Sequence, residues 1–321
     1  MKNVLLATSA LVMFAGAASA EIALSGSARM GVVYDETEGS SGETFFSSRV
    51  RIVFTASGET DGGLAFGASV RADQTGGNNS DFGCEGVFVD ADLDGVVDPG
   101  ELSNSCADED GDSNGDSTVF LSGAFGTLTM GDVSGAADAL VGQVSGVGYG
   151  PIDGLQEIDF IGTDKTAVYY EYSAGALTFG MGVGQTYDVD DDVDLNDTAN
   201  IGVKYSADGY SIALGYETSD SVDAVHLGAS ATFGAATVKA RITDTDANSD
   251  LLYALSLDYV AGATTITGFY TDFGDTEVQH IGLGAAYDLG GGATLAGGIV
   301  MQDNPAGDDP MFADLGLKFK F

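Results

Sequence analysis

A chain of 321 residues with 49 acidic and 11 basic side chains carries a formal charge of −38. Such a chain repels the phosphate backbone of a polyanion, which excludes nucleic acid as a partner and leaves divalent cations as suitable ones. The 48 glycines come without Pro-rich tracts or a Gly-X-Y period, which excludes collagen and argues against disorder.

Residues 1–20, MKNVLLATSALVMFAGAASA, combine one lysine, an apolar run from Val4 to Ala15 and the small-residue site Ala18-Ser19-Ala20. They predict a secretory signal peptide, so the two cysteines are expected in an oxidising compartment. From Ile22 the sequence alternates. Ile22, Leu24, Met30, Val32 and Tyr34 share one parity, while Ser25, Ser27 and Arg29 hold the other. Period two predicts a strand with one apolar face. Segments of the same kind follow at 45–57, 64–73, 118–125, 127–132, 167–174, 177–186, 198–205 and 210–217. Others lie at 224–233, 237–243, 251–259, 264–272, 277–288, 293–301 and 310–321, which brings the total to sixteen. The helical spacing i, i+3, i+4, i+7 is not sustained anywhere, so no long helix is predicted.

Two long stretches interrupt the alternation. In the first, 74–117, the segment DADLDGVVDPGE (90–101) has the D-x-D-x-D-G-x₅-E spacing of a calcium loop. The predicted ligands are Asp90, Asp92, Asp94, the Val96 carbonyl, Asp98 and Glu101, although the flanks lack the helices of an ordinary EF-hand. Asp110, Asp112 and Asn114 repeat half of the motif, with Leu121 where a closing glutamate should stand. Cys84 and Cys106 bracket the first site and are expected to form a disulfide. In the entropic model, closing about 23 residues restricts the open chain by roughly 3 kcal/mol. The second interruption, 133–166, is too long for an ordinary connection and marks function or disorder. It contains Asp138, Asp153, Glu157, Asp159 and Asp164.

Elsewhere short turns such as SADG (206–209) and VAGA (260–263) take turns with longer polar loops such as DVDDDVDLND (188–197). Short turns on one rim and long loops on the other predict an up-and-down antiparallel barrel. The strand arginines and lysines, among them Arg29, Arg49, Arg51 and Arg71, avoid the apolar parity. A cation facing lipid at mid-membrane costs about 2–4 kcal/mol, so this segregation predicts a membrane barrel with a polar, aqueous interior. Tyr34, Phe54, Tyr205, Tyr216, Phe233, Tyr259, Tyr287 and Phe321 near strand ends suit interfacial girdles. The two histidines, His226 and His280, belong to no catalytic motif and are expected to be pore wall, so no enzymatic activity is predicted.

SSRVRIVFTASGETDGGLAFGASVRAD (47–73), STVFLSGAFGTLTMGDVSGAADAL (117–140) and YDLGGGATLAGGI with ADLGLKFKF (within 287–321) resemble the general diffusion porins of alphaproteobacteria, the purple-bacterial type. The resemblance spans nearly the whole chain after residue 20. It implies a homotrimer of sixteen-stranded barrels in the outer membrane of a Gram-negative bacterium, open to small hydrophilic solutes by passive diffusion. The ending LGLKFKF resembles the signal read by the barrel assembly machinery, with Phe321 as its last residue. By the same resemblance 133–166 is the constriction loop, folded into the lumen with its carboxylates across from Arg29, Arg49, Arg51 and Arg71. Opposed charges in a narrow pore set a transverse field. Weak cation preference is expected, against a solute-selective channel or a mainly structural barrel with calcium-stabilised loops.

Stretch 74–117 is longer than the family pattern, so the resemblance does not say what its calcium motif does. In the family this loop reaches over the neighbouring subunit, which makes a calcium-ordered latch between subunits the expectation. The 188–197 loop either bridges lipopolysaccharide through divalent ions or forms a solvated rim.

Overall fold

The computed structural model describes residues 21–36, 42–77, 86–88, 102–104, 117–163, 166–184, 198–305, 307 and 309–321. The strands are β1 (Glu21–Asp35), β2 (Glu43–Glu59), β3 (Ala65–Gly77), β4 (Gly86–Phe88), β5 (Leu102–Asn104), β6 (Ser117–Gly123), β7 (Gly126–Gly131), β8 (Ala167–Ala174) and β9 (Leu177–Val183). They continue with β10 (Ala199–Ala207), β11 (Tyr210–Thr218), β12 (Asp223–Phe233), β13 (Ala236–Thr245), β14 (Leu252–Ala261), β15 (Thr264–Asp272), β16 (Gln279–Gly290), β17 (Ala293–Asp303) and β18 (Met311–Lys320).

Among the described residues, β4 and β5 form a separate ribbon and the other sixteen strands close into one antiparallel barrel. β1 completes the ring by pairing with β18, Arg29 opposite Lys318 and Val32 opposite Leu315. Gly26 and Phe321 then exchange both backbone hydrogen bonds, at 2.7 and 3.1 Å. The sixteen predicted segments correspond to these sixteen strands. β3 runs four residues past its predicted end, because its backbone keeps pairing with β2 as far as Ser47–Gly77. A ladder needs no apolar face beyond the lipid-facing band.

Burial patterns follow the parity. On β14, Tyr253, Leu255, Leu257 and Tyr259 are exposed on the outer face, while Ala254 and Ser256 are buried inside. The outward positions of β9 through β12 repeat this with Phe179, Met181, Ile201, Ile212, Leu214, Val225 and Leu227. A shell of apolar side chains around a polar interior buries little against itself, so lipid must cover it.

The buried apolar contacts lie instead between the inner wall and the segment joining β7 to β8. That segment opens with a short helix, α1 (Ala136–Val141), and then follows the inner wall. Val147 and Ile152 pack with Phe269 and Val300. Tyr149 packs with Val33 and Ala296, and Val144 and Ile158 pack with Ala254. Glycine makes the seats. Gly180, Gly202 and Gly215 are register partners across β9–β11, as are Gly284 and Gly298 on β16–β17, and Gly316 and Gly31 on β18–β1. A Cβ on Gly215 would stand 2.7 Å from the Ala137 Cβ, and one on Gly284 would stand 2.8 Å from the Val147 Cβ. Either would lift the loop from the wall.

Candidate functional site

The loop is pinned at each stage of its course. At its start, Ala136 N–H donates to the Asn200 side-chain oxygen at 2.5 Å. Further on, Ser145 N–H donates to Ser256 Oγ at 2.9 Å, and Ser145 Oγ donates to Asp258 at 2.6 Å. At the tip, Tyr149 N–H donates to the Asp314 carboxylate at 3.0 Å and Gly150 N–H does so at 3.4 Å. Lys318 Nζ reaches the Gly148 carbonyl at 3.2 Å.

The return limb rests on a buried polar cluster. Arg241 donates to the carbonyls of Ile158 (2.6 Å) and Asp159 (3.2 Å) and lies 3.7 Å over the Phe160 ring. Glu217 Oε2 accepts the Ile161 N–H at 2.9 Å and lies 3.0 Å from His226 Nε2. A carboxylate at that distance makes Nε2 the protonated nitrogen, so Nδ1 accepts from Thr243 Oγ1 at 2.9 Å and from Arg241 at 3.2 Å. Glu217, His226 and Arg241 are each only 1% exposed. The other histidine, His280, donates from Nδ1 to the Leu155 carbonyl at 2.5 Å. Both histidines therefore lie beneath the loop and hold it, rather than forming bare pore wall. Inward parity in the strand was legible; the loop that covers those positions was not.

Pinned in this way, the return limb turns Ile152, Gln156 and Ile158 to the wall and leaves Asp153, Glu157 and Asp159 exposed to the lumen. The Glu157 carboxyl has Asp153, Asp138 and Asp159 as electrostatic neighbours. Four of the five predicted loop carboxylates are thus brought together. The nearby wall thins the water around the inner side of both exposed carboxyls, and this desolvation is the largest cause raising Asp153 and Glu157 from their ordinary values. Glu157 is raised further by its acidic neighbours, whereas Lys318 and Arg29 pull Asp153 back down. Asp164 lies outside the described residues.

The other side of the lumen is basic. Arg29 and Arg49 are cross-strand partners on β1 and β2, and Arg51 faces Asp73 from β3. Two like charges directly opposite are unfavourable in a closed sheet and tolerable where water lies over them. Asp73, which the sequence reading passed over, is held by Arg51 through Nε at 3.0 Å and Nη2 at 2.8 Å, and by Arg71 at 3.1 Å. It neutralises part of the arginine wall. Arg29 bridges the two sides, with Asp153, Arg51 and Asp314 among its electrostatic neighbours. Asp90, Asp92, Asp94, Val96, Asp98, Glu101, Asp110, Asp112, Asn114, Cys84, Cys106 and residues 1–20 lie outside the described residues.

Residues 7–307 match the family model described as Gram-negative porin. A porin of Rhodobacter capsulatus is 36% identical over 94% of this chain and all of its own length. A porin of Fuscovulum blasticum is 30% identical over 82% of this chain and 99% of its own. A porin structure refined at 1.8 Å resolution covers 94% of this chain and 100% of its own at 34% identity, with a TM-score of 0.70. A mutant of Rh. blastica porin matches in fold, also with a TM-score of 0.70, at 23% identity over 94% of this chain and 100% of its own. An apolar exterior, a polar interior and a wall-bound loop make this an outer-membrane channel for passive diffusion, not an enzyme. The chain belongs to the Gram-negative porin family.

Proposed function

We propose that the channel is weakly cation-selective and that its lumen stays open between the loop carboxylates and the arginine wall. The observation that carries this reading is that both sides face water. Asp153, Glu157 and Asp159 are exposed, and Arg51, Arg71 and Asp73 keep 29%, 26% and 24% of their side-chain surface. Asp73 weakens the basic side, while among the described residues the cations acting on Asp153 and Glu157 are Lys318, Arg29 and Arg241. The preference is then for cations and mild. Reversal potentials across a potassium chloride gradient test it, and anion selectivity at neutral pH would refute it.

The pH dependence follows from the raised carboxyls. A group titrating above its ordinary value loses its charge earlier as pH falls. The cation preference is therefore expected to decline before ordinary carboxylates titrate, and to be complete again on the alkaline side of that step. A reversal potential that stays constant down to the ordinary carboxylate range would contradict it.

The functional unit is a homotrimer. Outward tyrosines Tyr172, Tyr205, Tyr210, Tyr216, Tyr253, Tyr259 and Tyr287 lie on β8 through β16, as a lipid-facing girdle requires. The outer face of β1, β2, β17 and β18 instead carries an apolar groove of about 700 Å³ lined by Met30, Val32, Phe46, Leu295, Leu315 and Leu317. A second subunit there would replace lipid. Assembly proceeds through the barrel assembly machinery, which reads the C-terminal strand ending at Phe321. Segment 188–197, which lies outside the described residues, is assigned either to bridging lipopolysaccharide through divalent ions or to a solvated rim.

The 90–101 segment binds calcium and latches the trimer. Its carboxylate-rich donor set suits a hard cation. A Cys84–Cys106 bridge would close the segment that carries the motif; the described ribbon within it pairs Gly86 with Asn104 and Phe88 with Leu102. Chelator is expected to lower the thermal stability of the trimer, read by gel mobility on heating. An Asp90→Ala/Glu101→Ala trimer as stable as the parent, with or without chelator, would refute the latch.

A further inference from the structure

Below the helix, on the short-turn side, the wall and the loop enclose a second cavity. It has a volume of about 280 Å³, and its lining includes Lys204, Lys239, Ser211, Ser230, Gln143 and the Gly142 backbone. Lys204 stands three residues from the end of β10 and Lys239 three residues into β13, so both lie close to the short turns. Ser211 is the register partner of Ser230, which in turn pairs with Lys239. The two ammonium groups and two hydroxyls thus share one inner-wall patch, with Ala213 and Gly228 leaving space beside them.

No carboxylate lines this cavity. Four other lumenal cations have partners. Arg51 and Arg71 share Asp73, Arg241 binds the Ile158 and Asp159 carbonyls, and Lys318 binds the Gly148 carbonyl. Gln143 is satisfied by the Ile158 backbone through both ends of its amide. Asp258, two residues along from the Ser256 that pairs with Lys239, is occupied by Ser145 and Thr267. Among the described residues, neither Lys204 nor Lys239 has a hydrogen bond or an ion pair. Two half-buried like charges repel each other and lose hydration, and an oxyanion between them relieves both costs.

We propose that Lys204 and Lys239, with Ser211 and Ser230, form a binding site for a small oxyanion of the phosphate class on the short-turn side of the loop. The site gives anions a resting place below an acidic constriction and keeps the channel permeable to them. The proposal rests on the open-lumen reading, since the ion must reach the cavity through water.

Equilibrium dialysis of labelled inorganic phosphate against the full-length protein in detergent tests it. Lys204→Gln/Lys239→Gln is expected to bind one saturable equivalent fewer than the parent, or to bind it about tenfold more weakly or worse. Lys204→Arg/Lys239→Arg is expected to retain it. Unchanged binding in the glutamine variant would place any bound phosphate on the arginine wall and overturn the site, as would the absence of saturable binding in the parent. Channel steps in potassium chloride, recorded on the same preparations, report separately on folding and on the open lumen.

Discussion

Arg241→Met is expected to loosen the return limb of the lumenal loop by about 3–5 kcal/mol, the largest effect foreseen for one side chain here. Arg241 supplies the charge that matches Glu217 through His226, and all three lie in a space closed to water. Removing Arg241 leaves the Glu217 side chain buried and facing only an imidazole and the Ile161 amide. It also strips the Ile158 and Asp159 carbonyls of their donor. Hydrogen exchange at the Ile161 amide is the direct readout, and a loss of that size speeds it by about two orders of magnitude or more. Glu217→Gln/Arg241→Met is expected to recover part of the loss, because no buried charge then remains unmatched. Exchange unchanged in Arg241→Met would mean that the cluster does not hold the loop.

Asp314→Ala is expected to free the loop tip. Asp314 is 7% exposed and accepts the Tyr149 and Gly150 N–H groups where the loop crosses from β18 to β1. A buried donor left without an acceptor costs about 1–3 kcal/mol, and two are at stake. The tip also rests on glycine, since a Cβ on Gly31 or Gly316 would stand 2.7 Å from the Tyr149 ring. Shape therefore keeps part of the seat, and the barrel should still form. Single-channel records are expected to change from uniform steps to noisy ones of variable size, and Asp314→Asn, which keeps one acceptor oxygen, should be milder. Steps as uniform as the parent's in Asp314→Ala would show that Asp314 is dispensable.

The barrel was legible because strand, lipid and turn each leave a local mark. Leu255 and Leu257 flank Ser256 as a pleat demands, and Gly209 or Gly262 marks the tight turn that reverses the chain. The four wall arginines could be assigned to the lumen by parity alone. The loop's contacts are long-range facts of another kind. His226 and Glu217 share the inward parity of Ser230, yet they are buried beneath Phe160 and Ile161, and parity cannot tell a covered inner wall from an open one. A signal was present in the inward glycines of neighbouring strands, Gly180, Gly202 and Gly215, which mark where a second layer can lie. Asp73 escaped notice because it sits at the end of an apolar run, where an acid reads as the start of a loop.

In the proposed function the lumen is open and narrowed by a wall-bound loop that sets carboxylates against arginines. Planar-bilayer recording of the purified protein, with the reversal potential taken across a potassium chloride gradient, tests it most directly. Large uniform conductance steps with a mild cation preference at neutral pH are the predicted result. Absent or very small steps would contradict it, because the loop would then be a plug and the barrel a structural element of the membrane.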